Sequence, residues 1–263
     1  MTAARPSLAD FDLIIFDWAG TMVDFGCRAP IAALLAAFAR HGVTLDEGAA
    51  RADMGKAKDD HVRALLARPE IAQAWRAANA SEPDEAAVAL LMADLGPLMR
   101  DAAARAAELI PGAAETVAEL RKRGLKVASS TGYTREMMAP VLERAAAQGY
   151  RPDHLVCAGE TPRGRPSPLM IYKACAELGV WPLNRVIKVD DAEAGVAEGR
   201  AAGCFTIGVA ASGNGVGLNR EALEALSPED REARIAPSRA ALLAVGADAV
   251  VDSVADLIGL FDS

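Results

Sequence analysis

Short apolar runs, each ending in a polar cluster, are the feature that most restricts what this chain can fold into. Residues 13–16 lead into Asp17, 125–128 into Ser129, and 186–189 into Asp190; further runs follow at 205–209 and 249–251. Runs this short and this apolar suit strands buried on both faces, the kind found in parallel sheets. Between them lie helical patterns such as 113–123 and 171–178, with Gly124 and Gly179 placed as helix stops. Strand alternating with helix predicts an α/β fold with a doubly wound, Rossmann-like parallel sheet. Ligands of such sheets sit beyond the carboxyl ends of the strands, which is where Asp17, Ser130, Thr131, Asp190 and Asp191 fall.

The stretch 25–105 breaks this rhythm, being rich in Ala and Leu with helical spacing and no clear strand. Ile31, Leu34, Leu35 and Phe38 fall on one helix face, between Pro30 and Gly42, and Val88, Leu91, Met92, Leu95 and Met99 on another. An all-helical block between the first two strands predicts an inserted cap domain of 25–105 over a core of 1–24 and 106–263. Residues 212–217 read as a glycine-rich loop.

A chain of 263 residues that is 52% hydrophobic is large enough for such a core with an insertion. Its net charge of -8 leaves no basic surface for nucleic acid, so any anionic substrate must meet a local positive site. No apolar run has the length of a membrane span, and MTAARPSLADFDLIIFD lacks a basic region leading into an apolar segment with a cleavage site. The expectation is a cytoplasmic protein with neither membrane nor nucleic-acid partners. Cys27, Cys157, Cys175 and Cys204 form no C-x-x-C pair and fit reduced core thiols.

The chemistry concentrates at the strand ends. In Phe16-Asp17-Trp18-Ala19-Gly20-Thr21 a carboxylate leaves a strand and enters a turn whose glycine lets backbone N–H groups approach an anion. Ser130-Thr131-Gly132 offers hydroxyls and a free N–H, Arg165 in GRPSP offers a fixed cation, and Asp190-Asp191 offers hard oxygens suited to magnesium. Each has an ordinary structural explanation by itself: a capping acid, a strand-end turn, a loop arginine, a pair of loop acids. In the cap, MGKAKDDH places Lys58 at four- and three-residue spacing from Met54 and His61, on one face of a helix, with Asp59 and Arg63 free to pair elsewhere. A lysine that condenses with an aldehyde makes an electron sink, and a histidine beside it can move protons.

Together, FDWAGTMVD, MGKAKDDH, SSTGYTREMM, GRPSP and VDDAEAGVAEG resemble the phosphonoacetaldehyde hydrolase (phosphonatase) family of the haloacid dehalogenase superfamily, over the whole chain. The resemblance implies Asp17 as nucleophile, Lys58 as Schiff-base lysine with His61 as its proton carrier, and phosphate or substrate contacts from Thr131, Gly132, Arg165, Met54 and Tyr133. It implies Mg2+ on Asp17, the Ala19 carbonyl and Asp191, with phosphonoacetaldehyde as substrate, acetaldehyde and phosphate as products, and a homodimer joined through the cap. Ala19 stands where most phosphomonoesterases of the superfamily carry a second aspartate as general acid, which disfavours the rival reading of a sugar-phosphate phosphatase or phosphomutase. A catalytically silent phospho-ligand binder is the other rival. Many members carry a further acid where this chain has Gly195, leaving Asp190 or Glu193 as helpers for the metal and the role of Cys27 open.

Overall fold

The computed structural model describes residues 6–262. Residues 1–5, which open the segment read as lacking a signal, lie outside the described residues, as does residue 263. In chain order the elements are β1 (Leu13–Phe16), then α1 (Ala29–Arg40), α2 (Glu47–Arg51), α3 (Lys58–Leu66), α4 (Pro69–Asn79) and α5 (Glu85–Ala106). There follow α6 (Ala113–Lys122), β2 (Lys126–Thr131), α7 (Arg135–Ala147), β3 (His154–Cys157), α8 (Leu169–Leu178), β4 (Val186–Asp190) and α9 (Glu193–Ala202). The chain closes with β5 (Phe205–Val209), α10 (Arg220–Glu224), α11 (Pro228–Ala244), β6 (Ala249–Val251) and α12 (Leu257–Asp262).

The strands form one parallel sheet in the order β3-β2-β1-β4-β5-β6, the doubly wound arrangement the alternation predicts. β1 is fully buried, and its residues alternate between two layers. Leu13 and Ile15 pack with Met170, Ile171 and Ala174 of α8, whereas Ile14 and Phe16 join the cluster on the opposite face. Phe16 lies opposite Ser129 of β2 and Val189 of β4, so the residues just after these positions meet at one edge. The strand order reverses at β1, which makes this edge the switch point of the sheet.

Two strands run further than their apolar letters: β2 continues through Ser129, Ser130 and Thr131, and β4 through Asp190, because their polar ends are buried against one another. β3 has no counterpart in the sequence reading. It is a four-residue edge strand, beginning at His154 and paired only with β2, too short to give a periodic signal.

The five helices α1–α5 form the inserted cap. α1 packs along α5, and Leu34, Phe38, Leu91, Leu95 and Met99 are buried in the same apolar cluster as Phe16 and Trp18 of the core. Leu35 and Met92 lie only half-buried at the edge of that seam. The chain enters and leaves the cap side by side: Val23 bridges Leu109 in antiparallel fashion, the Asp24 N–H donates to the Glu108 carbonyl (3.2 Å), and the Ile110 N–H donates to the Met22 carbonyl (2.9 Å). This pairing is the root of the cap. We propose the domain limits 25–105 and 1–24 with 106–263 on that basis.

Candidate active site

Asp17 directly follows β1, and its N–H donates to the Val189 carbonyl of β4 (3.0 Å), which ties the carboxylate to the middle of the sheet edge. The chain then folds back on itself, with the Trp18 carbonyl accepting from the N–H groups of Thr21, Met22 and Val23. Gly20 in this turn has φ +87°, and a Cβ there would collide with the Asp191 carboxylate, so glycine is required twice over. Thr21 Oγ1 donates to Asp191 Oδ1 (3.2 Å) and the Asn214 N–H donates to Asp191 Oδ2 (2.7 Å).

Arg165 reaches under this edge from the loop before α8 and is almost wholly buried. Its Nη1 pairs with Asp17 Oδ1 (2.8 Å) and Asp190 Oδ2 (3.3 Å), and its Nε with Glu198 Oε2 (3.0 Å). Lys188, also buried, pairs with Asp190 (2.8 Å) and more distantly with Glu198 (3.5 Å). Ser130 lies inside this network rather than facing substrate. Its Oγ accepts from Lys188 Nζ (3.0 Å) and Arg165 Nη2 (3.1 Å) and donates to Glu198 Oε2 (3.2 Å), which leaves Thr131 and Gly132 as the strand-end groups lining the cavity.

That cavity is small and closed over by the cap, which suits a small molecule rather than a polymer. Asp17, Thr131, Gly132, Arg165 and Asp191 make its floor, and Met54, Gly55 and Lys58 of the cap its roof. Ala19, Cys27 and Tyr133 line its sides. A larger, open groove at the root of the cap holds Asp24, Arg28 and Arg105 but none of the strand-end carboxylates.

Lys58 is the first residue of α3. Met54 does not share its helix; it precedes the turn at Gly55, and the pair meet because that turn folds Met54 Sδ to within 3.7 Å of Lys58 Nζ. The same amine stands 5.8 Å from the centre of the Tyr133 ring. Burial brings Lys58 down to about 8, with Cys27 and Asp17 pulling the other way. His61 lies one turn along, fully buried, and does not line the cavity; its ring nitrogens make no well-formed hydrogen bond. Burial, then the neighbouring Lys58, lowers it to about 3. It therefore lies behind Lys58 and outside the cavity lining.

The carboxylates carry more charge than their partners balance. Burial and then Asp190 raise Asp17 to about 6, and burial followed by Asp17 and Asp190 pushes Asp191 well above the usual range. Burial opposes ionisation of Asp190 as well, but Arg165 and Lys188 outweigh it and hold its pKa low. Oxygens of Asp17, Asp190 and Asp191 lie within 4.8 Å of one another, and Asp191 has no cationic partner among the described residues. With Glu198 sharing Arg165 and Lys188, four buried carboxylates meet two paired cations, and the three crowded aspartates fit a hard divalent ion. Glu193, weighed as a helper, is not part of this cluster. Gly195 is explained by the same crowding: a Cβ there would fall inside the Asp190 carboxylate, so Asp190 already fills the space a side chain at 195 needs.

The chain matches the haloacid dehalogenase-like hydrolase model over residues 11–203. It is 44% identical to the phosphonoacetaldehyde hydrolase of Paraburkholderia phytofirmans, over 93% of this chain and 92% of that one. It is 40% identical to that of Bacillus cereus strain ATCC 10987, over 94% and 93%. The chain belongs to the phosphonoacetaldehyde hydrolase family of the haloacid dehalogenase superfamily. Within that family, a solved phosphonoacetaldehyde hydrolase-like protein from Oleispira antarctica superposes with a TM-score of 0.95 at 38% identity, covering all of this chain and 95% of that one. Outside it, a putative β-phosphoglucomutase from Bacteroides vulgatus shares the fold alone, with a TM-score of 0.69 at 20% identity.

The sequence reading passed over Lys188 and Glu198 as chemical residues. The one signal for Lys188 was a lysine inside the apolar run VIKVD, which a strand buried on both faces admits only with a partner. Glu198 gave none, since its partner Arg165 stands 33 residues away.

Proposed function

We propose that this chain is a magnesium-dependent hydrolase that cleaves the carbon–phosphorus bond of phosphonoacetaldehyde to acetaldehyde and phosphate. The observation that carries the reading is Lys58, buried and lowered to about 8, held by the cap above a floor made by Asp17 and Arg165. An ordinary phosphatase has no use for a poised amine there, whereas an aldehyde bearing a phosphonate needs one.

Neutral Lys58 attacks the aldehyde carbon, and loss of water leaves an iminium. An Asp17 oxygen then attacks phosphorus, and the electrons of the breaking carbon–phosphorus bond collapse into an enamine instead of a carbanion. Protonation and hydrolysis of the enamine release acetaldehyde and free Lys58, and water cleaves the aspartyl phosphate. Arg165, together with the N–H of Gly132 and the hydroxyl of Thr131, would hold the phosphoryl oxygens. Tyr133 and Met54 shape the space around the amine, and His61 behind it supplies a neutral proton acceptor. Ala19 leaves room above Asp17 and supplies no proton, which matches a leaving group that is not an alkoxide. When bound, Mg2+ would be held by Asp17, Asp191 and the Ala19 carbonyl, with Asp190 beside them, and would offset phosphonate charge.

Among the described residues no helix is long and apolar enough to cross a membrane. The proposed cytoplasmic location rests on the four buried free thiols, which suit a reducing compartment. The homodimer through the cap rests on the family resemblance, and light scattering of the purified protein checks it.

Borohydride tests the central step. Added with substrate, it should inactivate the enzyme irreversibly and increase the mass of the peptide carrying Lys58. Lys58→Arg should resist trapping and lose cleavage; Lys56→Arg should behave as wild type, because the Lys56 amine is paired with Asp53 (2.5 Å). Trapping at Lys56, or full activity in Lys58→Arg, overturns the mechanism. Phosphate release from phosphate monoesters in preference to phosphonoacetaldehyde overturns the substrate.

A further inference from the structure

Arg51 belongs to the cap by position, being the last residue of α2, yet its guanidinium reaches into the core. Nη1 donates to Asn214 Oδ1 (3.1 Å), to the Asn214 carbonyl (3.4 Å), and to the carbonyls of Gly26 (3.2 Å) and Cys27 (3.4 Å). Nη2 donates to the Gly217 carbonyl (3.3 Å), and Asn214 Nδ2 returns a bond to the Arg51 carbonyl (3.1 Å). One side chain of the cap thus ties the segment at the cap's own root, 24–27, to a core loop, 212–217. The first, 24–27, delivers Cys27 to the cavity, and the second, 212–217, delivers the Asn214 N–H to Asp191 Oδ2 (2.7 Å). The loops are also tied to each other, since the Gly26 N–H donates to the Ser212 carbonyl (2.7 Å) and Ser212 Oγ to the Gly20 carbonyl (2.9 Å).

We propose that Arg51 is a positioning residue through which closure of the cap sets the Asp191 carboxylate and Cys27. The planar fork of an arginine suits the task, because it fixes several carbonyls at defined angles at once, which a lysine does not do. Its ion-pair partner Glu47 lies on the same short helix, so that pair holds α2 together and carries nothing across to the core. Of the two groups that orient Asp191, Thr21 comes from the core turn and is independent of the cap; only Asn214 answers to Arg51. Opening the cap withdraws the fork from the Asn214 and Gly217 carbonyls, so 212–217 keeps only its core ties, among them Arg234 to the Val216 carbonyl (2.8 Å), and the Asn214 N–H loses its brace beside Asp191. Polar groups that orient metal-binding carboxylates typically govern affinity by about tenfold or more.

The inference rests on the reading of Asp191 as a magnesium ligand, and the experiment separates the two. Mg2+ binding by calorimetry without substrate, and hydrogen exchange of 212–217, are compared in wild type, Arg51→Ala, Asn214→Ala and Glu47→Gln. Arg51→Ala and Asn214→Ala are each expected to weaken Mg2+ about tenfold and to speed exchange across 212–217, with kcat falling by more than KM rises. Asn214→Ala keeps the backbone donor to Asp191 and removes the two side-chain bonds that join Asn214 to Arg51, so it carries the test if Arg51→Ala fails to fold. Glu47→Gln should match wild type. Unchanged Mg2+ affinity and exchange in Asn214→Ala, or an equal loss in Glu47→Gln, overturns the proposal. Absence of Mg2+ binding in wild type overturns the metal reading instead, and exchange of 212–217 then decides the clasp alone.

Discussion

Lys58 is 4% exposed and has no bonded carboxylate among the described residues, so burial sets its charge. Only the neutral amine attacks a carbonyl, so cleavage is expected to speed up as pH rises towards about 8 and to level off above it. A pH–rate profile under saturating substrate checks this, and a flat profile from pH 6 to 9 would contradict it. The same burial costs stability. Between about 8 and 10.5 the unfolded chain holds a proton on Lys58 that the folded chain has released, so its contribution to stability improves with pH across that window, and the full penalty is present below it. Lys58→Met should therefore raise the unfolding free energy measured in urea at pH 7 by roughly 2–3 kcal/mol, and with it the midpoint, while abolishing cleavage. A lower midpoint would show that the lysine is better solvated than its burial indicates. Gly195 makes a second case at this scale. Gly195→Asp forces two carboxylates into one space and should melt at markedly lower temperature by circular dichroism, and Asp190→Gly in the same chain should recover much of the loss.

Among the elements, α5 carries the most weight in the cap, and its start is fixed by a single side chain. Asp84 accepts from the N–H groups of Ala86 (2.9 Å) and Ala87 (3.3 Å), so Asp84→Ala should cost about 1 kcal/mol in chemical denaturation. Phe38 is fully buried where α1 lies along α5, and Phe38→Ala should cost about 3–5 kcal/mol. That range follows from continuous packing of cap and core; a cost near 1 kcal/mol would mean that the cap tolerates a cavity there. Helices were legible because an apolar stripe at helical spacing survives without knowledge of the partner surface, as Leu34, Phe38, Leu91 and Leu95 show. β3 was not, because an edge strand of four residues has no room for a pattern.

At the scale of the whole molecule, the excess of buried carboxylate at the switch point makes stability a function of divalent cation. Mg2+ that binds only the folded chain stabilises it by mass action, about 2.7 kcal/mol at a hundred times Kd. The midpoint of thermal unfolding should thus rise with Mg2+ and fall on adding EDTA, and Asp191→Asn should blunt the response. A midpoint indifferent to Mg2+ would remove the cation from this site. Asp17→Asn, which takes away the attacking oxygen, should lower turnover by several orders of magnitude with the fold kept.

The sequence by itself determined five of the six strands, their parallel sense and the strand-end groups, because burial on both faces dictates an apolar run and the polar letters that stop it mark the edge where ligands bind. It also marked Lys58, as a lysine in a distinctive local motif. Only the tertiary structure decided which polar residues serve one another. Ser130 turned inward to Lys188 and Glu198, Met54 met Lys58 across a turn and not along a helix, and Asp190 took the space above Gly195. Arg51 and Asn214 stand 163 residues apart and form one clasp. The physical reason is range: periodicity and turn chemistry are written in neighbouring residues, whereas a hydrogen bond or ion pair between distant segments leaves no local trace until the chain has closed around it.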